Sequence, residues 1–216
     1  MNNFTKWLIA LPFTVFATIA VPALVAGNPR WFIRHWTDLL FATLSAGMWL
    51  IATAFVDVNV PRGSPDRANR LIPLGLLLAV PIAVWDRTHW IASTMPIAVK
   101  VFGILLSALA VVLGVAARIS LGRSYSPRAS HDVEGMLVQK GPYRWIRHPL
   151  YAAAILWTVG WPLIMASFLS SIISIVLVGP AIRSRMIAEE AELLLAYGEP
   201  YAIYQKSTWR IFPYIY

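Results

Sequence analysis

The chain has 216 residues, of which 58% are hydrophobic and 13% are charged, roughly half the charged fraction of an ordinary soluble domain. This composition argues against a soluble protein and predicts a membrane protein. The formal net charge of +8 could suit nucleic acid, but the basic residues lie between hydrophobic runs, so we expect no nucleic-acid partner. Because the chain has no cysteine, disulfides, thiolate metal sites and a cysteine nucleophile are excluded.

Four apolar runs lie in the first part of the chain, at residues 7–26, 36–58, 71–85 and 95–117. The first is about 20 residues long and as a helix covers ~30 Å of hydrocarbon. We favour a retained membrane helix there over a cleaved signal peptide, because further apolar runs follow. The third run is short and contains two prolines, so it is expected to be tilted, kinked or partly interfacial. The fourth is long enough to span a bilayer.

Two polar segments flank one long apolar region in the rest of the chain. Residues 118–148 form the longest polar stretch and contain six basic residues. The apolar region 149–182 would measure ~50 Å as a single helix, which is too long for one span of ordinary tilt. Trp161-Pro162 and the four serines that follow favour a break, so we predict a hairpin of two helices. Residues 183–216 are polar and amphipathic, and then aromatic.

We therefore predict an all-α, polytopic membrane protein with about five to six transmembrane helices, including the C-terminal hairpin. In a six-span arrangement, fourteen of the 18 Lys and Arg residues fall on the side that holds both termini and the polar stretch 118–148. The positive-inside rule places that side in the cytoplasm. Residues 1–117 are expected to form N-terminal transmembrane helices, and residues 118–216 a region with a cytoplasmic cofactor site.

The first candidate site segment is residues 141–151. Pro149 opens an apolar helix at a position where its missing N–H costs nothing, and it moves His148 out of helical geometry. His148 is then expected at the N-cap, beside free backbone N–H groups and the positive end of the helix dipole, with Arg147 adding charge. Such a helix start is a suitable anion site. The alternative is interfacial anchoring by Arg, Trp and Tyr side chains.

The second candidate segment is residues 183–198. Arg185 and Glu189 are four residues apart and share a helix face with Glu192, so a solvated ion pair is the alternative to a role in a site. Glu190 points about 100° away from Glu189 on a helix. We therefore expect the two carboxylates to differ in function, and Glu190 to matter less for ligand binding.

Two other kinds of site are not indicated. His35, His89 and His131 show no ligand-like spacing to one another, so we expect no metal site. The chain also has no glycine-rich phosphate loop of the Rossmann or P-loop type, which argues against a nucleotide fold of the soluble kind.

Several short motifs follow one order along the C-terminal part of the chain. They are Leu137-Val138, Gly141-Pro142-Tyr143, Arg147 to Tyr151, the Glu189-Glu190 pair, and Tyr197-Gly198 with Tyr201 and Tyr204. Over residues 118–213 this ordered set resembles the isoprenylcysteine carboxyl methyltransferase family of integral membrane enzymes and their phospholipid methyltransferase relatives. Residues 1–117 match only as generic membrane helices.

The resemblance implies a site that binds S-adenosylmethionine and a lipophilic substrate. The family's cofactor contacts would fall on Arg128, Leu137, Val138, Tyr143, His148, Pro149, Leu150, Tyr151 and Glu189. Its substrate-side arginine would fall on Arg185, which is thereby the candidate catalytic residue. Two positions depart from the family pattern, since Gly135 replaces a histidine and Ala153 replaces a frequent glycine.

The chemistry of these segments fits that cofactor. The helix start at His148-Pro149 suits a carboxylate, and Glu189 suits an ammonium group or a ribose diol. We therefore predict an S-adenosylmethionine-dependent methyltransferase of the cytoplasmic or endoplasmic reticulum membrane, surrounded by membrane lipids and acting on a lipophilic or lipidated substrate such as an isoprenylcysteine-type carboxylate. The alternatives are a phospholipid amine N-methyltransferase, an NADPH-dependent reductase of the steroid 5α-reductase type, and a non-enzymatic scaffold or transporter.

Overall fold

The computed structural model of the chain describes residues 82–83, 85–86, 96–121 and 137–214. The helices in these residues are α1 (Ile97–Leu121), a short 3-10 helix (Gly141–Arg144), α2 (Pro149–Ile164), α3 (Phe168–Tyr197) and α4 (Glu199–Ser207). Within the same residues, β-type pairing is limited to one isolated parallel bridge between Ile146 and Trp209. The predicted all-α class is therefore confirmed for this part of the chain.

Several predictions fall on other residues. The apolar runs 7–26 and 36–58, most of the run 71–85, and the positions Arg128 and Gly135 lie outside the described residues. The division into regions at residue 117 and the count of five to six spans stay predictions.

α1 packs against α2 through a row of small residues. The buried positions of α1 are Gly103, Ser107, Ala110, Gly114 and Ala117. A Cβ atom added to Gly103 would lie 2.7 Å from the carbonyl oxygen of Gly160, and one added to Gly160 would lie 2.7 Å from Ser107 Oγ. Backbones this close require small residues on both helices, as is typical of helix pairs in membranes.

Two described helices, α1 and α3, are long and apolar enough to cross a membrane, and α2 is a shorter apolar helix. α1 corresponds to the predicted span at residues 95–117. Its face away from α2 exposes large apolar side chains, among them Phe102, Leu105, Leu109, Val112 and Ile119. An exposed apolar face of this size suits lipid better than water.

α2 and α3 form the predicted hairpin, and the chain breaks between them at residues 165–167. Pro162 lies in the last turn of α2, and Ala166 adopts a positive φ of 60°. The Ser167 hydroxyl oxygen then accepts a hydrogen bond from the N–H of Ser170, which caps the start of α3. This satisfies one donor that a first helical turn leaves without a partner. The break that the sequence indicates near these residues is confirmed.

α3 continues without interruption across residue 182, where the apolar region ends and the polar segment begins. Its 30 residues measure about 45 Å, more than the ~30 Å of a bilayer's hydrocarbon core. The part of α3 that carries Arg185, Glu189 and Glu190 therefore lies beyond the apolar stretch.

After α4, the tail (residues 208–214) returns to the start of α2. The backbone N–H groups of Arg147 and His148 donate to carbonyl oxygens of the tail at 2.8 and 3.0 Å. A buried apolar cluster joins this region, formed by Ile146, Ala152, Val178, Ile182, Met186 and Ile211. The start of α2, the polar part of α3 and the tail are thus held together at one end of the helices.

Candidate active site

The start of α2 has the form that the sequence predicts. The helix begins at Pro149 with a buried His148 as its N-cap. The His148 side chain does not cap the helix, and the N–H groups of Arg147 and His148 are bound by the tail. Any anion site here must therefore use N–H groups of the first helical turn, rather than those that precede Pro149.

Glu190 on α3 is the centre of a buried ion cluster. Its carboxylate lies 3.0 Å from Arg147 Nε, 3.1 Å from His148 Nε2 and 2.6 Å from Arg210 Nη2. The Glu190 side chain is only 6% exposed. Removing a carboxylate from water is costly, and two guanidinium groups with several charge-assisted hydrogen bonds offset that cost. We call Glu190, Arg147, His148 and Arg210 the Glu190 cluster.

Arg147 also ties α4 to the start of α2. Its Nη1 donates to the backbone carbonyl oxygens of Gln205, at 2.9 Å, and Thr208. The guanidinium is therefore engaged by Glu190 and two carbonyl groups. The expectation that Arg147 adds charge to an anion site at the start of α2 stays a prediction, and the structure shows this guanidinium paired with Glu190.

Glu189 occupies the other side of the His148 ring. Its carboxylate oxygen Oε2 lies 4.0 Å from His148 Nδ1, and its side chain is 37% exposed. The Tyr151 ring lies 5.5 Å from the imidazole, measured between ring centroids. The structure thus brings together three of the predicted cofactor residues, His148, Tyr151 and Glu189. It also gives the two adjacent glutamates different surroundings, since Glu190 is buried among cations and Glu189 is partly open.

Arg185 is partly buried one helical turn before Glu189. The ion pairs between described side chains do not join these two residues. Within the part of the chain that the structure describes, Arg185 Nε is buried and has no hydrogen-bond partner. A buried donor without an acceptor costs about 1–3 kcal/mol, and more when the group is charged. Arg185 is thus a cation that can take an acceptor from a ligand.

Two tyrosines of α4, Tyr201 and Tyr204, are buried beside this region. The Tyr204 hydroxyl donates to the carbonyl oxygen of Tyr143 at 2.7 Å, and burial raises the pKa of Tyr204 to about 12. Tyr201 is also buried, and burial together with the nearby Glu190 carboxylate raises the pKa of its hydroxyl. Both hydroxyls therefore stay protonated at neutral pH, and the Tyr204 hydroxyl fixes the position of the 3-10 helix.

The other predicted cofactor residues lie close in sequence to this place. Leu137 and Val138 are half-buried in an irregular segment before the 3-10 helix, which contains the buried Tyr143. Pro149 is fully buried, and Leu150 is half-buried in the first turn of α2. The cofactor roles of Leu137, Val138 and Leu150 stay predictions.

Ala153, one of the two departures from the family pattern, is buried on α2 facing α1. A Cβ atom added to Gly114 of α1 would lie 3.7 Å from the Ala153 methyl group. That distance is an ordinary van der Waals contact, so the alanine on α2 fits against the glycine on α1 without moving the helices apart.

Sequence reasoning missed the Glu190 cluster. The available signal was that each motif contains one charged residue beyond the predicted cofactor contacts, namely Arg147 beside His148 and Glu190 beside Glu189. Pairing these two residues would have placed the start of α2 against α3. Nothing in the sequence distinguishes Arg210 from the other basic residues near the C-terminus, so its part in the cluster required the structure.

Comparison with known proteins identifies relatives of the chain by sequence. The family model of the isoprenylcysteine carboxyl methyltransferase (ICMT) family matches residues 101–195, a range that contains His148, Arg185 and both glutamates. The chain is also similar to curated proteins named protein-S-isoprenylcysteine O-methyltransferase.

A protein-S-isoprenylcysteine O-methyltransferase of Schizosaccharomyces pombe is 27% identical over 92 residues, or 42% of this chain and 39% of the relative. Protein-S-isoprenylcysteine O-methyltransferase A of Arabidopsis thaliana is 27% identical over 131 residues, or 60% of this chain and 63% of the relative. The protein-S-isoprenylcysteine O-methyltransferase of Mus musculus is 25% identical over 128 residues, or 58% and 42%. The chain thus spans less than two thirds of the length of each relative. Over residues 101–195, it is similar to the isoprenylcysteine carboxyl methyltransferase family.

Proposed function

We propose that this chain is an integral membrane methyltransferase that uses S-adenosylmethionine and methylates a lipophilic substrate, with an isoprenylcysteine-type carboxylate as the acceptor. The observation that carries the proposal is the grouping of His148, Tyr151 and Glu189 at the start of α2, inside the segment that matches the family. The names of the relatives describe O-methylation of protein S-isoprenylcysteine, which supports the same acceptor here.

The side chains at this place fit the methyl donor, which carries a carboxylate, an ammonium group, a ribose diol and a sulfonium. Glu189 is a partly exposed carboxylate beside His148 and can accept hydrogen bonds from the ammonium group or the diol. The first turn of α2 provides backbone N–H groups and a positive dipole end for the carboxylate. The other proposed cofactor contacts are Arg128, Leu137, Val138, Tyr143, Pro149, Leu150 and Tyr151.

Arg185 is the proposed substrate residue. Its buried Nε lacks a hydrogen-bond partner among the described residues, so a substrate carboxylate can occupy that donor. A guanidinium holds a carboxylate through two parallel hydrogen bonds and so fixes the direction of its oxygens. S-adenosylmethionine supplies the electrophilic methyl group, and a carboxylate acceptor needs no general base. The contribution of the protein is then to align the two reactants and to exclude water.

The proposed site lies at the end of the apolar helices. α3 extends beyond its apolar stretch at Arg185 and Glu189, and α1 and α3 are able to cross a membrane. We infer that the protein is multi-pass, with five to six spans and a cytoplasmic site. The cofactor would enter from the cytoplasm and the lipid part of the substrate from the bilayer.

The proposal is tested by incubating membranes that contain the protein with radiolabelled S-adenosylmethionine and a prenylated cysteine analogue. The matched control is the same analogue with its carboxylate converted to an amide. Label should appear as a base-labile ester only with the free carboxylate. Label in phosphatidylethanolamine instead would identify a phospholipid N-methyltransferase.

A second measurement separates the methyl donor from NADPH. At about 100 times its Kd, a ligand stabilises the folded state by about 2.7 kcal/mol, which a thermal-shift series in detergent detects. S-adenosylmethionine and S-adenosylhomocysteine should raise the melting temperature, and NADPH should not. Stabilisation by NADPH alone would overturn the proposed function in favour of a reductase.

A further inference from the structure

The Glu190 cluster determines which nitrogen of His148 carries a hydrogen. A carboxylate that is paired with two guanidinium groups is ionised and can only accept hydrogen bonds. His148 Nε2 lies 3.1 Å from Glu190 Oε1, so this nitrogen must be the donor. Both side chains are at most 6% exposed, and water therefore does not compete for this contact.

The second nitrogen, Nδ1, faces Glu189 without a hydrogen bond. The distance from Nδ1 to Glu189 Oε2 is 4.0 Å, beyond hydrogen-bond range. If Nδ1 also carried a hydrogen, the partly exposed Glu189 side chain would be drawn to it. Arg147 and Arg210 supply positive charges that pair with the Glu190 carboxylate. Without a hydrogen, His148 Nδ1 is a hydrogen-bond acceptor, and it faces a second acceptor, the Glu189 carboxylate.

We propose that Glu190 is a positioning residue that holds His148 as the Nε2–H tautomer, so that Nδ1 and the Glu189 carboxylate form a paired acceptor for one ammonium group. An atom about 2.9 Å from each of two acceptors can bridge the 4.0 Å between them. An ammonium nitrogen has hydrogens for both acceptors, whereas a single hydroxyl can donate to only one. The carboxylate also favours a cation. This inference rests on the proposed function for the identity of the ligand, the ammonium group of the methyl donor.

Helix geometry alone predicts a smaller part for Glu190 than for Glu189 in ligand binding, whereas the proposed contact with His148 gives Glu190 an indirect part of its own. Glu190 does not face the paired acceptor, and it acts through the orientation and tautomer of His148. A purely structural role for the Glu190 cluster would fix the same tautomer of His148, so ligand affinity and its dependence on the ammonium group distinguish the two roles.

The first test is nitrogen NMR of the ligand-free, full-length protein in detergent with 15N-labelled histidine. The chain has four histidines, and the spectrum of the His148→Asn variant identifies the His148 signals. We expect a protonated Nε2 and an unprotonated Nδ1. A protonated Nδ1 would overturn the inference, and this result does not depend on whether the protein is a methyltransferase.

The second test measures S-adenosylhomocysteine affinity in Glu190→Gln, with Glu192→Gln as the matched control at an exposed position of the same helix. Glu190→Gln should bind the ligand at least roughly tenfold more weakly, as occurs when the partner that orients a metal-binding histidine is removed. It should also lose the fixed tautomer, while Glu192→Gln should match the parent. Unchanged affinity and tautomer in a folded Glu190→Gln protein would overturn the inference. If that variant does not fold, the parent spectrum decides.

A ligand analogue tests the ammonium group itself. Deaminated S-adenosylhomocysteine should bind the parent more weakly than S-adenosylhomocysteine does, and this difference should shrink in Glu190→Gln. Equal binding of the two ligands by the parent would overturn the assignment of the paired acceptor to an ammonium group. Failure of both ligands to bind would instead count against the proposed function, and the tautomer measurement would still test the role of Glu190.

Discussion

Glu189 differs from its neighbour Glu190 by being partly open, and this difference leads to the first prediction at the scale of single residues. Glu189→Gln removes the charge that would meet the methyl donor but keeps the shape of the side chain. A hydrogen bond to a charged group contributes about 1.5–3 kcal/mol, so S-adenosylhomocysteine affinity should fall by roughly 10- to 100-fold. Isothermal titration calorimetry measures this loss directly.

The control for Glu189→Gln is its effect on folding. Because Glu189 makes no hydrogen bond with a described residue at the distances observed, the melting temperature without ligand should stay close to that of the parent. A large drop in the ligand-free melting temperature, with unchanged ligand affinity, would show that Glu189 stabilises the fold and does not bind the donor.

Variants of Arg185 should distinguish loss of substrate binding from loss of donor binding. Arg185→Lys keeps the positive charge but loses the planar fork that holds a carboxylate through two hydrogen bonds. Turnover should therefore fall by roughly tenfold or more in Arg185→Lys and further in Arg185→Ala, equivalent to about 1.4 kcal/mol or more of transition-state stabilisation. Affinity for S-adenosylhomocysteine should stay near that of the parent in both variants.

The structure removes one explanation that the sequence left open for Arg185. An ion pair with Glu189 is not formed, so substitution of Arg185 should not release that carboxylate. Arg183→Ala, at an exposed position two residues earlier, is the matched control and should retain full turnover. If donor affinity falls in step with turnover in the Arg185 variants, Arg185 is not a substrate residue.

At the scale of the elements, the crossing of α1 and α2 depends on glycine at Gly103 and Gly160. A Cβ at position 103 would lie 2.7 Å from the Gly160 carbonyl oxygen and 2.8 Å from the Ile164 nitrogen, and both are backbone atoms that cannot rotate away. Gly103→Ala should therefore destabilise the protein by about 1–3 kcal/mol, the usual cost of overpacking. Thermal unfolding in detergent measures this change.

Gly114→Ala is the matched control for this crossing. A Cβ at position 114 would meet the Cβ atom of Ala153 at 3.7 Å, an ordinary van der Waals contact. Since alanine is favoured over glycine within a helix by about 0.5–1 kcal/mol, this variant should be neutral or slightly more stable. If both alanine variants are equally stable, the close approach of α1 and α2 does not contribute to stability.

The sequence predicted these elements well where one local rule applied. The apolar run before residue 118, the proline at the start of α2 and the serine-rich break after Pro162 each depend on nearby residues only. The Glu190 cluster could not be predicted in the same way. It joins α3, the start of α2 and the tail, over separations of 20 to 43 residues, and the position of such partners depends on packing.

At the scale of the whole molecule, the charged groups of the Glu190 cluster lie at one end of an antiparallel bundle. Gly103 near the start of α1 lies against Gly160 near the end of α2, and Gly114 lies against Ala153. The end of α1 is therefore beside the start of α2, where a side chain at Gly141 would collide with Ser120. The Glu190 cluster and Glu189 belong to this same end. A substrate with a lipid part and a charged head would meet apolar helices and the polar site at one place.

This arrangement leads to a prediction about sidedness. α1 has 25 residues and measures about 37 Å, enough to place its two ends on opposite sides of a ~30 Å hydrocarbon core. Lys140 and Lys206 are exposed at the polar end, and Pro96 is exposed before α1.

Because the chain has no cysteine, single cysteines at these positions can be labelled without background. A membrane-impermeant maleimide added to sealed vesicles should label Lys140→Cys and Lys206→Cys from the cytoplasmic side, and Pro96→Cys from the opposite side. Labelling of all three from one side would show that α1 does not cross the membrane, and reversed labelling would place the polar end outside the cytoplasm.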